Sequence, residues 1–296
     1  MITKEEFINL IKNEYPSCYQ EIIDNMMLKR SNAFRINTLL SKKEYVLNEL
    51  DKLGIKYQKS DISDFSYLVD ANNETLMSLD LFKEGKIYLQ SLSSQIPPLA
   101  LNLGENIDIL DMCAAPGGKT SEIAQMVNNK SNIMACEENK IRLEKLKYNL
   151  CHLGCKNINV IHTDARKLDS FFRFDSILLD APCSGAGTIN IENPKDLSYF
   201  SMLLVKNSAK TQKQLLKKAI EILKPGCSLV YSTCSILKEE NEEVVKTILN
   251  KNIILEDMNI NISNDCLLES TLDKVLTIKP SKEYEGFFIA KIKKLR

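Results

Sequence analysis

Residues 107–120 read IDILDMCAAPGGKT, and the fold turns on this stretch. Apolar residues lead to Asp111, and a turn through Pro116, Gly117 and Gly118 opens GGKTSEIAQMV, which has helical periodicity. A short apolar strand, a glycine turn and an amphipathic helix form the repeating unit of a parallel sheet covered on both faces. The unit recurs downstream: NIMACEE precedes KIRLEKLKYNLCHLG, then come INVIHTD and FDSILLDAP. A long helix is expected from about Tyr199 to Leu223, followed by the strand CSLVYSTCS. The tail EGFFIAKIKK alternates and suits an edge strand. Nearer the start, IYLQ predicts a strand, and SLSSQIPPLALNL a helix interrupted early by Pro97 and Pro98. The pattern is α/β, with a doubly wound sheet over residues 85–296.

Residues 1–84 follow a different pattern. Leu10 and Ile11, then Ile22, Ile23, Met26 and Met27, mark two helices, and a third near Lys42 to Leu53 stops at Gly54. Short strand-like pieces such as Tyr67-Leu68-Val69 complete a small α+β region.

Composition excludes several classes. The 296 residues carry 39 Lys and Arg against 39 Asp and Glu, with 44% hydrophobic and 26% charged residues. Bulk charge therefore argues neither for a polybasic nucleic-acid binder nor for disorder. No apolar run approaches the roughly 18 residues of a membrane span, and the charged amino terminus lacks a signal peptide's apolar centre. A cytoplasmic protein without membrane association is expected. Nine cysteines stand at 18, 113, 136, 151, 155, 183, 227, 234 and 266, with no two-residue gap of a zinc or redox motif and only two histidines beside them. No metal is expected, and most of the cysteines suit the role of small buried hydrophobes.

In a doubly wound sheet ligands gather at the carboxyl ends of the strands. Gly118-Lys119-Thr120 matches the end of a phosphate-binding P-loop, but that motif needs glycine where Cys113 stands. An acid at the end of the next strand, Glu137, is placed for ribose hydroxyls, and the third strand ends at Asp164, where a carboxylate or its adjoining backbone could meet an adenine edge. The set suits a nucleoside without a phosphate demand, as in S-adenosylmethionine. Two further strand ends carry Asp180-Ala-Pro-Cys183 and Thr233-Cys234-Ser235, which aims both cysteines at the same crevice.

Thiols beside a methyl donor point to one reaction. A thiolate adding to carbon-6 of a cytosine makes carbon-5 nucleophilic toward the donor's methyl group, and later loss of a proton and of the thiol restores aromaticity. A carboxylate such as Asp180 would hold the Watson–Crick edge of the ring. The base must leave its stack, so the expected target is single-stranded or deformed. A Cys–His hydrolase is the competing chemistry, weakened because His152 lies in a predicted helix and only His162 on a strand.

Asp111 to Thr120, Asp180 to Gly187 and Tyr231 to Ser235 resemble the signature motifs of the Sun/Nol-Nop RNA cytosine-carbon-5 methyltransferases. RSNAFRINTL at 30–39, Tyr88 to Leu99 and Glu285 to Ala290 are similar to further blocks of that family, so the likeness covers most of the chain. It implies a Rossmann-like class I methyltransferase sheet with a small N-terminal RNA-binding region. It also implies that Cys234 is the nucleophile and that Cys183 assists product release. DNA cytosine methyltransferases use the cysteine after proline instead, which would have suggested the reverse. Cys113, Ala114, Ala115, Pro116, Gly117, Gly118, Lys119, Glu137, Asp164 and Asp180 would line the cofactor site, with Lys119 near the reacting groups. Arg142 matches a family arginine and is read as structural or RNA-facing. Ala186 replaces a family glycine, a minor departure.

RNA then needs a basic surface. Residues 139–173 hold eight Lys and Arg against three Asp and Glu, and residues 203–224 six Lys against one Glu, a net +5 in each. Lys140, Arg142, Lys145 and Lys147, with Lys206, Lys210, Lys213 and Lys217, could contact phosphates, although a solvated helix face is the competing reading. The expectation is a monomeric enzyme acting on structured RNA, with ribosomal RNA ahead of transfer RNA. A non-catalytic RNA-binding or ribosome-assembly factor on the same fold is the alternative, and the intact Cys183 and Cys234 weigh against it.

Overall fold

In the computed structural model, which describes residues 2–296, the chain opens with α1 (Lys4–Glu14) and α2 (Tyr19–Met27). A four-stranded antiparallel sheet follows: β1 (Asn32–Ile36), β2 (Tyr57–Lys59), β3 (Ser66–Val69) and β4 (Ile87–Leu89), in the order β2-β3-β1-β4. Its connections carry α3 (Lys43–Lys52), α4 (Asn73–Ser78) and α5 (Asp80–Lys83). Since β4 pairs with β1, this sheet extends past residue 84, where the region was expected to end. The first two helices pack elsewhere. Phe7, Ile11, Tyr15, Ile22 and Met26 share a core with Ile189, Ile191, Phe200 and Ile236 of the second region.

Helix α6 (Leu92–Ala100) leads into the larger sheet. Its first half contains β5 (Asp108–Asp111), α7 (Gly118–Met126), β6 (Asn132–Glu137), α8 (Lys140–His152), β7 (Ile158–His162) and β8 (Phe174–Asp180). The second half adds α9 (Pro194–Tyr199), α10 (Met202–Ile222), β9 (Leu223–Thr233), α11 (Glu242–Lys246), β10 (Ile253–Glu256), β11 (Val275–Ile278) and β12 (Phe287–Lys294). Strands run in the order β10-β12-β9-β8-β5-β6-β7, with β11 also paired to β12. β5 to β9 are parallel, and β12 lies antiparallel on β9. The chain winds outward from β5 through β6 and β7, then returns to lay β8 on the other side of β5. Asp111 and Asp180 end the two strands that border this reversal, the position where such sheets take ligands.

Alternation along the strands builds two cores. Ile177 and Leu179 of β8, with Leu229 and Tyr231 of β9, pack with Leu215, Leu216, Ala219 and Ile222 of α10. Leu178 and Val230 lie in the other core with Leu92 and Ile96 of α6 and Ile123 and Ala124 of α7. Each such large side chain contributes about 1.5–3 kcal/mol on burial.

Three expectations are corrected. The closing strand β12 is internal, because β10 and β11 pair along it, and Phe287 to Ile292 are all buried, Lys291 included. Alternation alone cannot tell an edge from a strand whose lysines find protein partners: Lys291 donates to Asn102 Oδ1 at 2.7 Å and Lys294 to the Leu223 carbonyl at 2.8 Å. Helix α6 runs through Pro97 and Pro98, and the Ser94 carbonyl that Pro98 cannot serve accepts from the Gln90 side-chain amide at 3.0 Å. The long helix begins at Met202, where Ser201 caps it by accepting from Leu204 N–H at 3.1 Å.

A buried guanidinium joins the two sheets. Arg35 of β1 is 2% exposed. It donates to Ser121 Oγ of α7 at 2.8 Å and to the Gln125 side chain, and lies 3.9 Å from Glu122. The small sheet is thereby fastened to the helix that follows the glycine turn.

Candidate active site

The turn after β5 is held from within. Asp111, 1% exposed, accepts from Thr120 Oγ1 at 2.7 Å and from Cys113 N–H at 3.3 Å, while Ala114 N–H donates to the Cys136 carbonyl. Gly117 has φ +109°, a left-handed conformation that side chains resist, and a methyl group there would also press on Leu146 at 3.1 Å. A methyl group on Gly118 would meet the Tyr88 ring at 2.9 Å. The two glycines thus let the turn lie close against α8 and β4.

Burial raises Asp111 from its ordinary 3.8 to about 6 and Glu122 from 4.5 to about 7. In both cases the folded state keeps a proton that the unfolded chain has released. Stability should therefore fall as pH rises from about 4 to 7, by on the order of 3 kcal/mol for each group. Urea unfolding across that range is the measurement. Asp111→Asn and Glu122→Gln should each flatten the fall, and parallel curves for wild type and both variants would refute the assignment.

Two adjoining cavities open at the strand ends. One, of about 230 Å³, is bordered by Cys113, Ala115, Glu137, Arg142, Asp164, Asp180 and Cys183. The other, of about 370 Å³, is bordered by Tyr88, Gln90, Ser94, Ala114, Pro116, Gly118, Lys119, Thr188 and Phe287. Cys113, Ala115, Asp180 and Cys234 line both. Of the expected cofactor residues only Gly117 lines neither, since it faces Leu146. Glu137 is 4% exposed, accepts from Asn139 N–H at 2.8 Å and lies 3.5 Å from Arg142, whose guanidinium also donates to the Ala115 carbonyl. Asp164 lines the smaller cavity, and of its two expected contact groups the side chain is already engaged. Arg166 occupies both of its carboxylate oxygens at 2.8–3.0 Å, and that hydrogen bonding lowers its pKa. Its backbone is left as the group to meet a base edge.

The two thiols converge from neighbouring strands, with Cys183 Sγ 3.0 Å from Cys234 Sγ. The hydrogen bond to Cys234, and burial after it, hold Cys183 well above the ordinary thiol value, so it stays a neutral thiol. Asp180 accepts from Ser232 Oγ at 2.7 Å and from Lys119 Nζ at 2.8 Å. Lys119 also donates to Ser94 Oγ at 2.6 Å. Burial works to lower the Lys119 pKa, but Asp180's charge and hydrogen bond outweigh it and the net shift is upward. A cation, a carboxylate and a thiol pair therefore meet at one crevice. All nine cysteines are free. Burial lifts Cys136 to about 12 and Cys155 to about 11, which keeps them inert thiols.

The histidines lie elsewhere: His152 bonds the Phe82 carbonyl and His162 the Glu138 carbonyl, so neither is arranged as a base for these thiols. Among the described residues no cluster of His, Cys, Asp and Glu could hold a metal ion, and no helix is long and apolar enough to cross a membrane. Lys140, Arg142, Lys145, Lys147, Lys206, Lys210 and Lys217 are exposed, and Lys213 is half-buried.

Several residues of the site escaped the sequence reading. Arg30 donates to the Thr188 and Gly187 carbonyls at 2.9 and 3.2 Å, holding the loop that follows Cys183. Gly187 N–H donates to the Cys234 carbonyl at 3.0 Å, and Gly286 N–H to the Gly187 carbonyl at 2.8 Å. A methyl group on Gly187 would sit 2.0 Å from the Gly286 carbonyl oxygen. Gly187→Ala is expected to cost about 3 kcal/mol in urea unfolding, since neither backbone can yield. Buried Glu240 and Asn241 were also missed. They lie just past Ser235, and a polar run after an apolar strand ordinarily marks a solvated turn.

Residues 98–293 match the family model described as 16S rRNA methyltransferase RsmB/F. A tRNA (cytosine(72)-C(5))-methyltransferase of Pyrococcus horikoshii is 39% identical over 224 residues, covering 75% of this chain and 56% of the relative. Ribosomal RNA small subunit methyltransferase F of Shewanella piezotolerans is 33% identical over 306 residues, covering 98% and 64%. The chain thus spans 56% and 64% of the length of these two curated relatives. The crystal structure of NSun6 from Pyrococcus horikoshii with SFG superposes with a TM-score of 0.87 at 26% identity, over 99% of this chain and 98% of that one. A methyltransferase homolog protein from the same organism gives 0.82 at 32% identity, over 97% and 94%.

Proposed function

Because the chain belongs to the 16S rRNA methyltransferase RsmB/F family, we propose that it moves a methyl group from S-adenosylmethionine to carbon-5 of a cytosine in structured RNA. The observation that carries this reading is the pair of thiols 3.0 Å apart beside the Lys119–Asp180 pair. A pure RNA-binding scaffold has no need of that arrangement.

The residues present fit the cofactor. Glu137 is a buried carboxylate at the end of β6, where ribose hydroxyls bind, and the Cys113–Gly118 turn supplies backbone without a phosphate cradle. Cys113, Ala115, Glu137 and the backbone at Asp164 would hold it in the smaller cavity. When bound, S-adenosylmethionine supplies an electrophilic methyl group on a sulfonium. The larger cavity is then the place for the unstacked cytosine.

Cys234 adds to carbon-6 as a thiolate, which turns carbon-5 into a nucleophile. Asp180, fixed by Ser232 and Lys119, accepts from the exocyclic amine on the Watson–Crick edge of the ring. Once carbon-5 has taken the methyl group, its proton passes to Cys183 as that thiol gives its own to the departing Cys234 sulfur, and the ring regains aromaticity. Cys183, kept as a neutral thiol by the hydrogen bond and burial, donates to the departing sulfur and so assists release.

Residues 1–84 serve as an RNA platform in this reading. A groove of about 740 Å³ carries Lys29, Arg30, Lys56 and Lys282 against Asp70 and Glu283, which suits phosphates. Ribosomal RNA is placed ahead of transfer RNA, supported by the family description and by the name of the Shewanella relative, while the name of the Pyrococcus relative supports the second. The test is incubation with tritiated S-adenosylmethionine and total RNA, with nucleosides separated after digestion. Label in 5-methylcytidine is expected, and bisulfite sequencing then locates the cytosine. Tight RNA binding with no label would favour the assembly-factor reading.

A further inference from the structure

The segment that follows Cys234 carries two buried polar side chains that reach the neighbours of both thiols. Glu240 and Asn241 are both 0% exposed. Glu240 crosses to the loop after β8, where Oε1 accepts Ser184 N–H at 2.7 Å and Oε2 accepts the Ser184 hydroxyl at 2.6 Å. Asn241 turns back to β9. Its Oδ1 accepts the Thr233 hydroxyl at 2.6 Å and its Nδ2 donates to the Ser235 carbonyl at 2.9 Å. Ser184 follows Cys183 in the chain, and Thr233 and Ser235 flank Cys234. The Tyr231 hydroxyl donates to the Glu240 carbonyl at 2.6 Å, which anchors the segment to β9 itself.

We propose that Glu240 and Asn241 are positioning residues that set the separation and aim of the Cys183 and Cys234 thiols. The proposal rests on the reading of those thiols as the working pair. Its physical basis is the cost of burying a carboxylate, which must be offset by hydrogen bonds of good geometry. Two bonds to a single serine leave the residue after Cys183 no freedom to drift. Asn241 uses both halves of its amide, one on each side of Cys234, so β9 and the loop after β8 keep one register. Neither side chain touches the crevice, so both act only through the cysteines.

The test measures the thiols directly. Diamide takes two hydrogens from a close thiol pair and leaves a disulfide. Formation of the Cys183–Cys234 link is followed by peptide mass in wild type, Glu240→Gln and Asn241→Ala. The second measurement is single-turnover methyl transfer to RNA with cofactor saturating, together with the KM for RNA. Cross-linking is expected to slow by at least about tenfold, and transfer on the order of 100-fold, the scale of an ångström of misplacement. The KM for RNA should stay within about threefold, because binding in the ground state is untouched. A merely structural role would lower Tm and leave the rate per folded molecule intact.

Ser184→Ala removes the hydroxyl partner without altering the buried acid, and it decides the matter if the Glu240 variant does not fold. A smaller loss in the same two readouts is then expected. Wild-type cross-linking together with wild-type transfer in the folded variants would overturn the proposal. If the wild-type protein methylates no RNA, the proposed function fails, while the cross-linking rate still decides whether the segment sets the thiols.

Discussion

Cys234→Ala is expected to abolish methyl transfer, by on the order of 10⁴-fold or more, the scale at which a covalent nucleophile is lost. Cys183→Ala should behave differently. With Cys234 intact, addition to carbon-6 and methylation proceed, but the neutral thiol that lies 3.0 Å from the departing sulfur is gone. A covalent RNA–protein adduct should accumulate and migrate slowly on a denaturing gel, and the double variant should form none. Strand position alone does not assign these roles, because both thiols sit at the ends of adjacent strands. The assignment follows the resemblance, in which the cysteine of the Thr-Cys-Ser run is the nucleophile, and the raised pKa of Cys183, from the hydrogen bond to Cys234 and from burial, suits a proton donor. Adduct with Cys234→Ala and none with Cys183→Ala would reverse the two roles.

Arg35→Met should destabilise the protein by about 3–5 kcal/mol, the scale for breaking a buried pair from one side. Arg35 is the cation that faces Glu122, and it also satisfies Ser121 and Gln125. Without it, Glu122 keeps, among the described residues, the Gln90 amide at 3.0 Å and the more distant charge of Lys119. Burial already lifts Glu122 to about 7, and loss of the cation lifts it further. The folded variant then holds its proton to higher pH while the unfolded chain releases it, so the loss should be larger at pH 8 than at pH 5.5. Urea midpoints at the two pH values measure this. Adding Glu122→Gln should recover much of the loss at pH 8 and little at pH 5.5. A loss equal at both pH values would show that the charge of Glu122 is not what Arg35 offsets.

Much of the site was legible because its residues fall at strand ends. A strand's carboxyl end is marked by an apolar run stopping at a polar residue, and in a doubly wound sheet those ends share one edge. Asp111, Glu137, Asp180, Cys183 and Cys234 could therefore be placed together before any distance was known. Arg35 and Glu240 show why the rest was hidden. Glu240 stands in the polar run Lys238 to Glu243, and Arg35 is a lone charge between Phe34 and Ile36 at a position that alternation gives to solvent, so pattern alone assigns both to the surface. Their burial depends on partners 86 and 56 residues away, Ser121 and Ser184.

The place of the closing strand and the partner of the Asp164 side chain were both set by neighbours that pattern does not show. Whether β12 lies at an edge depends on what pairs beside it, and β10 and β11 are too short to announce themselves. Asp164 sits at the expected strand end, yet a side chain two residues on takes its carboxylate.

Sequence by itself determined the class of fold, the edge of the sheet that carries the chemistry, and the residue types gathered there, because period and strand ends are local properties. Tertiary structure alone decided that the two thiols approach to 3.0 Å. It also decided that α1 and α2 pack on the second region. Those outcomes depend on distance, burial and desolvation, which arise only when distant segments meet.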